Sequence, residues 1–457
     1  MRIPSVSALL KGDSLRARAL RGTAFTFLGF GMQQFLRLLS NLILTRLLFP
    51  EAFGLMALVN VILLGLQMFS DVGSDVAIVR SKRGDDPIFL NTAWIVHIGR
   101  GLLLGVMATV LAVPAAQFYN EPQLAELLPA AGLNTIILGF QSTKLAVVNR
   151  SLMLGRLTLL EFGSQIAGIV TMIALAYLTE SVWSLLIGVL VTSSIKVILS
   201  HVMLPGSPNR FAWETAAFWE LFHFGKYIFI SSIAGFAVNN ADRAVLGKFI
   251  SMGALGIYNI GFFPASIPFI LTRQFGSRIL LPIYTKTPPK EGPENRRKIR
   301  LARGLLTGGL VLLGLGLGLI GEWFIHLLYE EEYALAGPIM VLVSLAYLPV
   351  VVTNAYGQLF LAEGHSRDFT IQLIVLALVQ FSLVLIGVQA YGMIGAIVAP
   401  GLGVLLIYPL TAWFAHRLGG WDPLMDVLFL VLIVIGSACV LWFNDTALPH
   451  VIGLGTG

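Results

Sequence analysis

Apolar runs of about 20 residues, broken by short polar turns, recur along the whole chain. A helix of that length crosses a hydrocarbon core of about 30 Å. The pattern predicts spans near 23–45, 53–72, 90–117, 126–148, 157–178, 181–203, 218–240, 253–282, 303–328, 334–361, 369–389, 392–415 and 424–443. The runs are solidly apolar rather than alternating, so helices are predicted and a barrel is not. The break after the first run, Leu44-Thr-Arg46-Leu-Leu-Phe-Pro50-Glu-Ala52-Phe-Gly54, has a second copy. Leu246-Gly-Lys248 through Ala254 and Gly256 repeats the cation, the alanine and the glycine at the same spacing, again after the first span of a set of six. An internal duplication into two parallel six-span lobes is predicted.

Composition strengthens this picture. Of 457 residues 56% are hydrophobic and 12% charged, and the mean hydropathy is +0.84. A water-soluble core cannot hide so much apolar surface, so lipid is the solvent for most of the chain. The single Cys439 lies inside an apolar run and excludes a disulfide within the chain. The net charge of +6 is distributed by loop: Lys82, Arg83, Arg150, Arg156, Arg210, the run from Lys286 to Arg303, Arg367 and Arg417 fall on alternate loops. Cationic loops are retained in the cytoplasm, which predicts a cytoplasmic N-terminus in a multi-pass membrane protein. The charge also attracts anionic lipid; nucleic acid is not a predicted partner.

The domain reading follows from the spans. Residues 1–22 form a basic cytoplasmic lead-in, 23–204 an N-terminal six-span lobe, 205–217 a cytoplasmic linker, 218–417 a C-terminal six-span lobe, and 418–457 an extra C-terminal span and tail. Pro264 and Pro268, in the second span of the C-terminal lobe, predict a bend that is either a hinge or a static kink.

Charged and amide side chains inside spans are costly in lipid and mark functional candidates. Gln33, Arg37 and Asn41 recur every four residues as one polar stripe on the first span. His97 with Arg100, and Lys144, add ionisable groups in the third and fourth. Gln33, Arg37, Asn41, Arg100 and Lys144 are therefore the candidate cavity residues, with helix-to-helix ion pairing as the structural alternative. Asp71 and Arg80, near the inner face, read as a gating or structural ion pair. The isolated histidines lack metal-ligand spacing, and no metal site is predicted. Asp85-Asp86-Pro87 reads as a turn capping the third span. Phosphate-loop, zinc-protease and nucleophile-elbow motifs are missing, so no catalytic residue is assigned and a transporter is favoured over an enzyme.

The hinge Arg46…Pro50-Glu-Ala-Phe-Gly54, together with Asp71-Val-Gly73…Ala77-Ile-Val-Arg80 and Asn91-Thr-Ala-Trp94, resembles the polysaccharide transporter family. These are the Wzx-type flippases of the multidrug/oligosaccharidyl-lipid/polysaccharide exporter superfamily. The resemblance implies an all-α membrane protein, a V-shaped transporter bundle of two parallel six-helix lobes plus at least one extra C-terminal helix. It implies alternating-access movement of undecaprenyl-pyrophosphate-linked oligosaccharide repeat units across the inner membrane for surface polysaccharide synthesis. A polysaccharide polymerase and glycosyltransferases are the implied protein partners. No cofactor is expected, and H+ and Na+ stay open as coupling ions. The alternative is a cation-coupled multidrug-type exporter of the same superfamily. Its cavity would want carboxylates, whereas Arg, Lys and His predominate here.

Overall fold

In a computed structural model the described residues are 15–70, 74–151 and 153–445; they are helical apart from turns, with no strand among them. The helices are α1 (Leu15–Leu44), α2 (Pro50–Phe69), α3 (Ser74–Arg80), α4 (Pro87–Tyr119), α5 (Leu124–Gly139), α6 (Lys144–Arg150), α7 (Leu154–Thr179), α8 (Trp183–Val202) and α9 (Thr215–Phe249). There follow α10 (Met252–Ala265), α11 (Ile267–Phe275), α12 (Leu281–Lys286), α13 (Pro293–Leu328), α14 (Ala336–Ala346), α15 (Leu348–Ala362), α16 (Ser366–Arg417) and α17 (Pro423–Phe443). Among the described residues seven helices are long and apolar enough to cross a membrane, or ten when each of three bent pairs counts as one span. Only 22–50% of their apolar windows is buried inside the protein, which leaves the remainder for lipid. The chain is an all-α, multi-pass membrane protein.

Several predicted spans are not straight rods. The span 126–148 is α5 and α6, bent by 60° at residues 140–143; 253–282 is α10 and α11, bent by 47°, followed by a π-helical turn at Gly276–Leu280; 334–361 bends by 40° between α14 and α15. The second bend falls at Ser266, between Pro264 and Pro268, each of which lacks a backbone N–H. Predicted spans 369–389 and 392–415 are the two arms of α16, which folds back at Tyr391 and Gly392. Gly392 has φ 56° and ψ −138°, a conformation reserved for glycine. The arms meet at Gly387 and Gly395, where a Cβ on Gly395 would lie 2.0 Å from the Gly387 carbonyl oxygen.

The chain divides into two compact units: residues 1–49 with 62–232, and residues 50–61 with 233–457. In the first unit α4 and α5 pack backbone to backbone through small residues. A Cβ on Gly101 would stand 2.6 Å from the Thr135 carbonyl oxygen, and one on Gly132 would stand 3.0 Å from the Ala108 Cβ. In hydrocarbon, where no hydrophobic force drives helices together, such close approach supplies the van der Waals attraction. Helices α7 and α8 do the same at Gly168 and Gly188.

The second unit contains the start of α2, so residues 50–54 of the first hinge and the whole of the second lie within it. A Cβ on Gly54 would fall 1.9 Å from the Met252 carbonyl oxygen, and one on Gly256 would fall 1.9 Å from that of Pro50. Residues 50 and 252, like 54 and 256, are equivalent in the repeat, so the crossing of α2 and α10 is reciprocal, as in a two-fold contact. The glycines of the repeat are explained by this approach, since backbone cannot yield to a side chain.

One reading of the basic run 285–303 is corrected. Helix α13 begins at Pro293, ten residues before the predicted span, and Arg303 is no loop cation: its side chain is 2% exposed and paired with Asp426 of α17, itself 1% exposed. Arg303 also donates to the Tyr356 hydroxyl at 2.8 Å and stacks on that ring, while Tyr356 and Tyr408 both donate to Asp426 Oδ2. The thirteenth span is thereby bound into the unit by a neutralised charge cluster in which both terminal nitrogens of Arg303 are bonded.

Candidate functional site

The first unit holds a polar cavity of about 180 Å³ in otherwise apolar surroundings. Its chemistry comes from Gln67, His97, Arg100, Thr135, Gln141 and Ser142, its apolar wall from Leu104 and Leu138. Gly101 and Gly139 also line it, at the close α4–α5 backbone contact. Arg100 is half-buried, and its guanidinium donates from Nε to the Ser70 hydroxyl at 2.9 Å and from Nη2 to the Gln67 carbonyl at 2.6 Å. These acceptors belong to the C-terminal end of α2, where helix carbonyls lack intrahelical partners and the helix dipole favours a cation. The contacts aim the guanidinium and set one face of it along the cavity wall.

The bend at 140–143 supplies the opposite wall. Irregular backbone at membrane depth is tolerated only where its polar groups are satisfied. The Phe140 carbonyl accepts from Trp94 Nε1 at 3.2 Å and lies 2.9 Å from His201 Nε2; the Ser142 N–H donates to the Ser200 hydroxyl at 3.1 Å. Ser142 Oγ donates to Asn209 Oδ1 at 2.6 Å, and Asn209 Nδ2 donates to Thr143 Oγ1 at 2.7 Å. The bend thus turns Gln141 and Ser142 to the cavity and ties them to the segment that follows α8.

The other sequence candidates lie elsewhere. Lys144, at the start of α6, is 9% exposed and donates to the His201 carbonyl at 2.9 Å, a cation on the last turn of α8. Gln33, Arg37 and Asn41 share a face of α1 as their spacing predicts, but they do not line the cavity that Arg100 lines. Gln33 Nε2 donates to Glu161 Oε2 at 3.1 Å, which joins α1 to α7. Arg37 is exposed. Arg80 ends α3 in an exposed position, and Asp71 lies outside the described residues. The cavity also contains His97, one helical turn before Arg100. Spacing of three on one span was the available signal for that pair. Ser70 and Ser142 carried no such signal, because their roles depend on where α2 ends and where α5 bends.

At the N-terminal end of α4 the predicted cap is present. Asp86 accepts from the Ile88 N–H at 3.0 Å with Pro87 following, and Arg83 bridges Asp86 at 2.6 Å and Glu214 at 2.5 Å. Among the described residues no cluster of metal-ligating side chains occurs.

The pattern of the polysaccharide biosynthesis protein family matches residues 43–338. The lipopolysaccharide biosynthesis protein WzxC of Escherichia coli (strain K12) is 22% identical over 402 residues, 86% of this chain and 79% of that protein. Among solved structures, an inward closed conformation of the lipid II flippase MurJ superposes with a TM-score of 0.69 at 12% identity, covering 95% of this chain and 97% of that one. An inward-facing multidrug resistance MATE transporter superposes with a TM-score of 0.57 at 14% identity, covering 89% and 95%. At these identities the two structures establish a shared two-lobed fold. The chain belongs to the polysaccharide biosynthesis protein family.

Proposed function

We propose that the protein moves undecaprenyl-pyrophosphate-linked oligosaccharide repeat units across the bacterial inner membrane, from the cytoplasmic to the outer leaflet, for surface polysaccharide synthesis. The observation that carries this reading is the Arg100 cavity: a guanidinium, an imidazole, two amides and two hydroxyls gathered between apolar helices. A diphosphate wants cationic donors and a glycan wants amides and hydroxyls, while the polyprenyl tail stays in hydrocarbon. No described residue lining the cavity is acidic, which favours an anionic cargo over the organic cations of a multidrug exporter.

Transport by alternating access needs a contact that forms in one state and parts in the other. The reciprocal α2–α10 crossing, where the bare backbones of Gly54 and Gly256 meet, is our candidate for that contact. In this reading no reaction is catalysed and no cofactor is held; the coupling ion is H+ or Na+, the basic segment from Lys286 to Arg300 faces the cytoplasm, and a polymerase and glycosyltransferases act before and after the step.

Cells lacking the protein should accumulate lipid-linked repeat units on the cytoplasmic side, and restoring the wild-type chain should clear them. Unchanged levels of these lipids, with normal surface polysaccharide, would refute the assignment.

A further inference from the structure

A second pocket, distinct from the Arg100 cavity, lies in the second unit between the first turns of α13 and the turn at 419–422 that leads into α17. It encloses about 40 Å³, with Arg296, Arg300, Arg303, Gly419, Trp421 and Asp422 among its walls. A water needs about 10–15 Å³ of such space, so the pocket has room for roughly three waters or for one tetrahedral phosphate group.

Three arginines on successive turns of one helix face give the pocket its charge. Arg303 forms the buried back wall. Its two terminal nitrogens are bonded to Tyr356, Val352 and Asp426, but its buried Nε has no hydrogen-bond partner. A buried N–H left without an acceptor is uncommon in a native structure and calls for an explanation. Arg296 and Arg300 form the rim and are exposed. Arg300 pairs with Asp422, and Arg296 donates to the Pro289 carbonyl at 3.0 Å. Lys290 reaches the same edge: a Cβ on Gly419 would lie 3.1 Å from its Cγ and 3.7 Å from Arg296 Nη2. Against these four cations stand two carboxylates, Asp422 and Asp426, so the pocket keeps a surplus of positive charge.

The surroundings distinguish a lipid phosphate from a free one. Helices α13 and α17 pack against each other just beyond the pocket, with Gly304 opposite Met425 and Gly308 opposite Phe429. From that level both present exposed leucines: Leu301, Leu305, Leu424 and Leu428 are 60–69% exposed. Trp421, at the mouth, is the residue type that settles at headgroup depth. A phosphate seated here would have apolar helix faces directly beneath it for two acyl chains.

We propose that this pocket binds the phosphate of an anionic glycerophospholipid. The lipid contributes an acceptor for the buried Arg303 Nε and for the rim arginines, and its acyl chains cover the exposed leucines of α13 and α17. This assignment is independent of the transported cargo.

The test uses the full-length chain purified in a non-ionic detergent, with binding followed by native mass spectrometry and by the unfolding temperature. Dioctanoyl phosphatidylglycerol should bind saturably and raise the unfolding temperature, and dioctanoyl phosphatidylcholine should bind at least ten-fold more weakly. Arg296→Gln and Arg300→Gln should each weaken the phosphatidylglycerol complex by about five-fold, as for one basic contact at an anionic surface. Arg297→Gln and Lys298→Gln, on the same exposed helix but outside the pocket, should leave it unchanged. Equal binding of the two lipids, or equal losses from pocket and non-pocket variants, would overturn the proposal. So would inorganic phosphate that binds as tightly as phosphatidylglycerol, which would assign the pocket to the free ion. The wild-type comparison of the lipids stands even if a variant fails to fold.

Discussion

Arg100 and Arg303 are both arginines on long apolar helices, and they differ in almost every other respect. Arg303 is 2% exposed, stacked on Tyr356 and neutralised by Asp426 within a ring of hydroxyls, with only its Nε left without a partner. Arg100 is half-buried, aimed by a carbonyl and a serine hydroxyl at the end of α2, and opens on a cavity of about 180 Å³. The first arrangement holds four helices together, while the second places a guanidinium on the wall of an open cavity. An ionisable residue inside a span is a functional candidate by default, and these two differ in the space beside the charge, about 180 Å³ against about 40 Å³.

The largest effect that would test this contrast belongs to the Arg303 cluster. Asp426→Ala leaves Arg303 buried and uncompensated, a loss of about 3–5 kcal/mol. Thermal unfolding in detergent should show a markedly lower midpoint and a small folded yield. Replacing the pair together, Arg303→Met with Asp426→Leu, should recover most of the loss; a double variant no better than the single one would mean that the charge pair itself is required.

A smaller effect is expected where the cavity is built. Gly101→Val places methyl groups against the Thr135 carbonyl and the Gly139 backbone and should cost about 1–3 kcal/mol as α4 and α5 are forced apart. The same variant should impair export more than stability, because it distorts the wall that carries Arg100. Unaltered export would show that this wall does not contact cargo.

The smallest lies outside the spans. Asp86→Ala removes the cap of α4 and should cost about 0.5–2 kcal/mol. The hydrogen bond from Arg83 holds the Asp86 carboxyl below its ordinary value, with partial desolvation opposing it. A depressed folded-state value means that the stabilisation is complete above the unfolded value and is lost as pH falls through the folded one. Wild-type and Asp86→Ala unfolding curves should therefore converge only in acid below about pH 4, the usual carboxylate range; a difference that persists unchanged there would remove the carboxylate from the explanation.

Much of the architecture was legible because lipid imposes a simple rule on sequence: apolar runs of spanning length must be helices. The duplicated hinge was legible too, through Gly54 and Gly256, whose shared reason appears only when the two backbones are seen to touch. The bends were not, since α5 breaks at 140–143 with the help of Trp94, Ser200, His201 and Asn209, all distant in sequence. For the same reason Arg303 read as the last cation of a loop, its partners being 53 and 123 residues away. In the cavity, Arg100 was legible from charge within a span. Lys144 met the same criterion and lies buried on the end of α8, because sequence shows that a cation is present but not which carbonyl it meets.

The most direct measurement is flipping of a lipid-linked oligosaccharide diphosphate in proteoliposomes by the wild-type, Arg100→Ala and Arg100→Lys proteins, each first shown to be folded by its unfolding midpoint. The account predicts that the alanine variant loses at least ten-fold in rate and that lysine, a point charge in place of a planar fork, restores only part of it. A folded Arg100→Ala protein that flips at the wild-type rate would contradict the assignment of the cavity to the diphosphate.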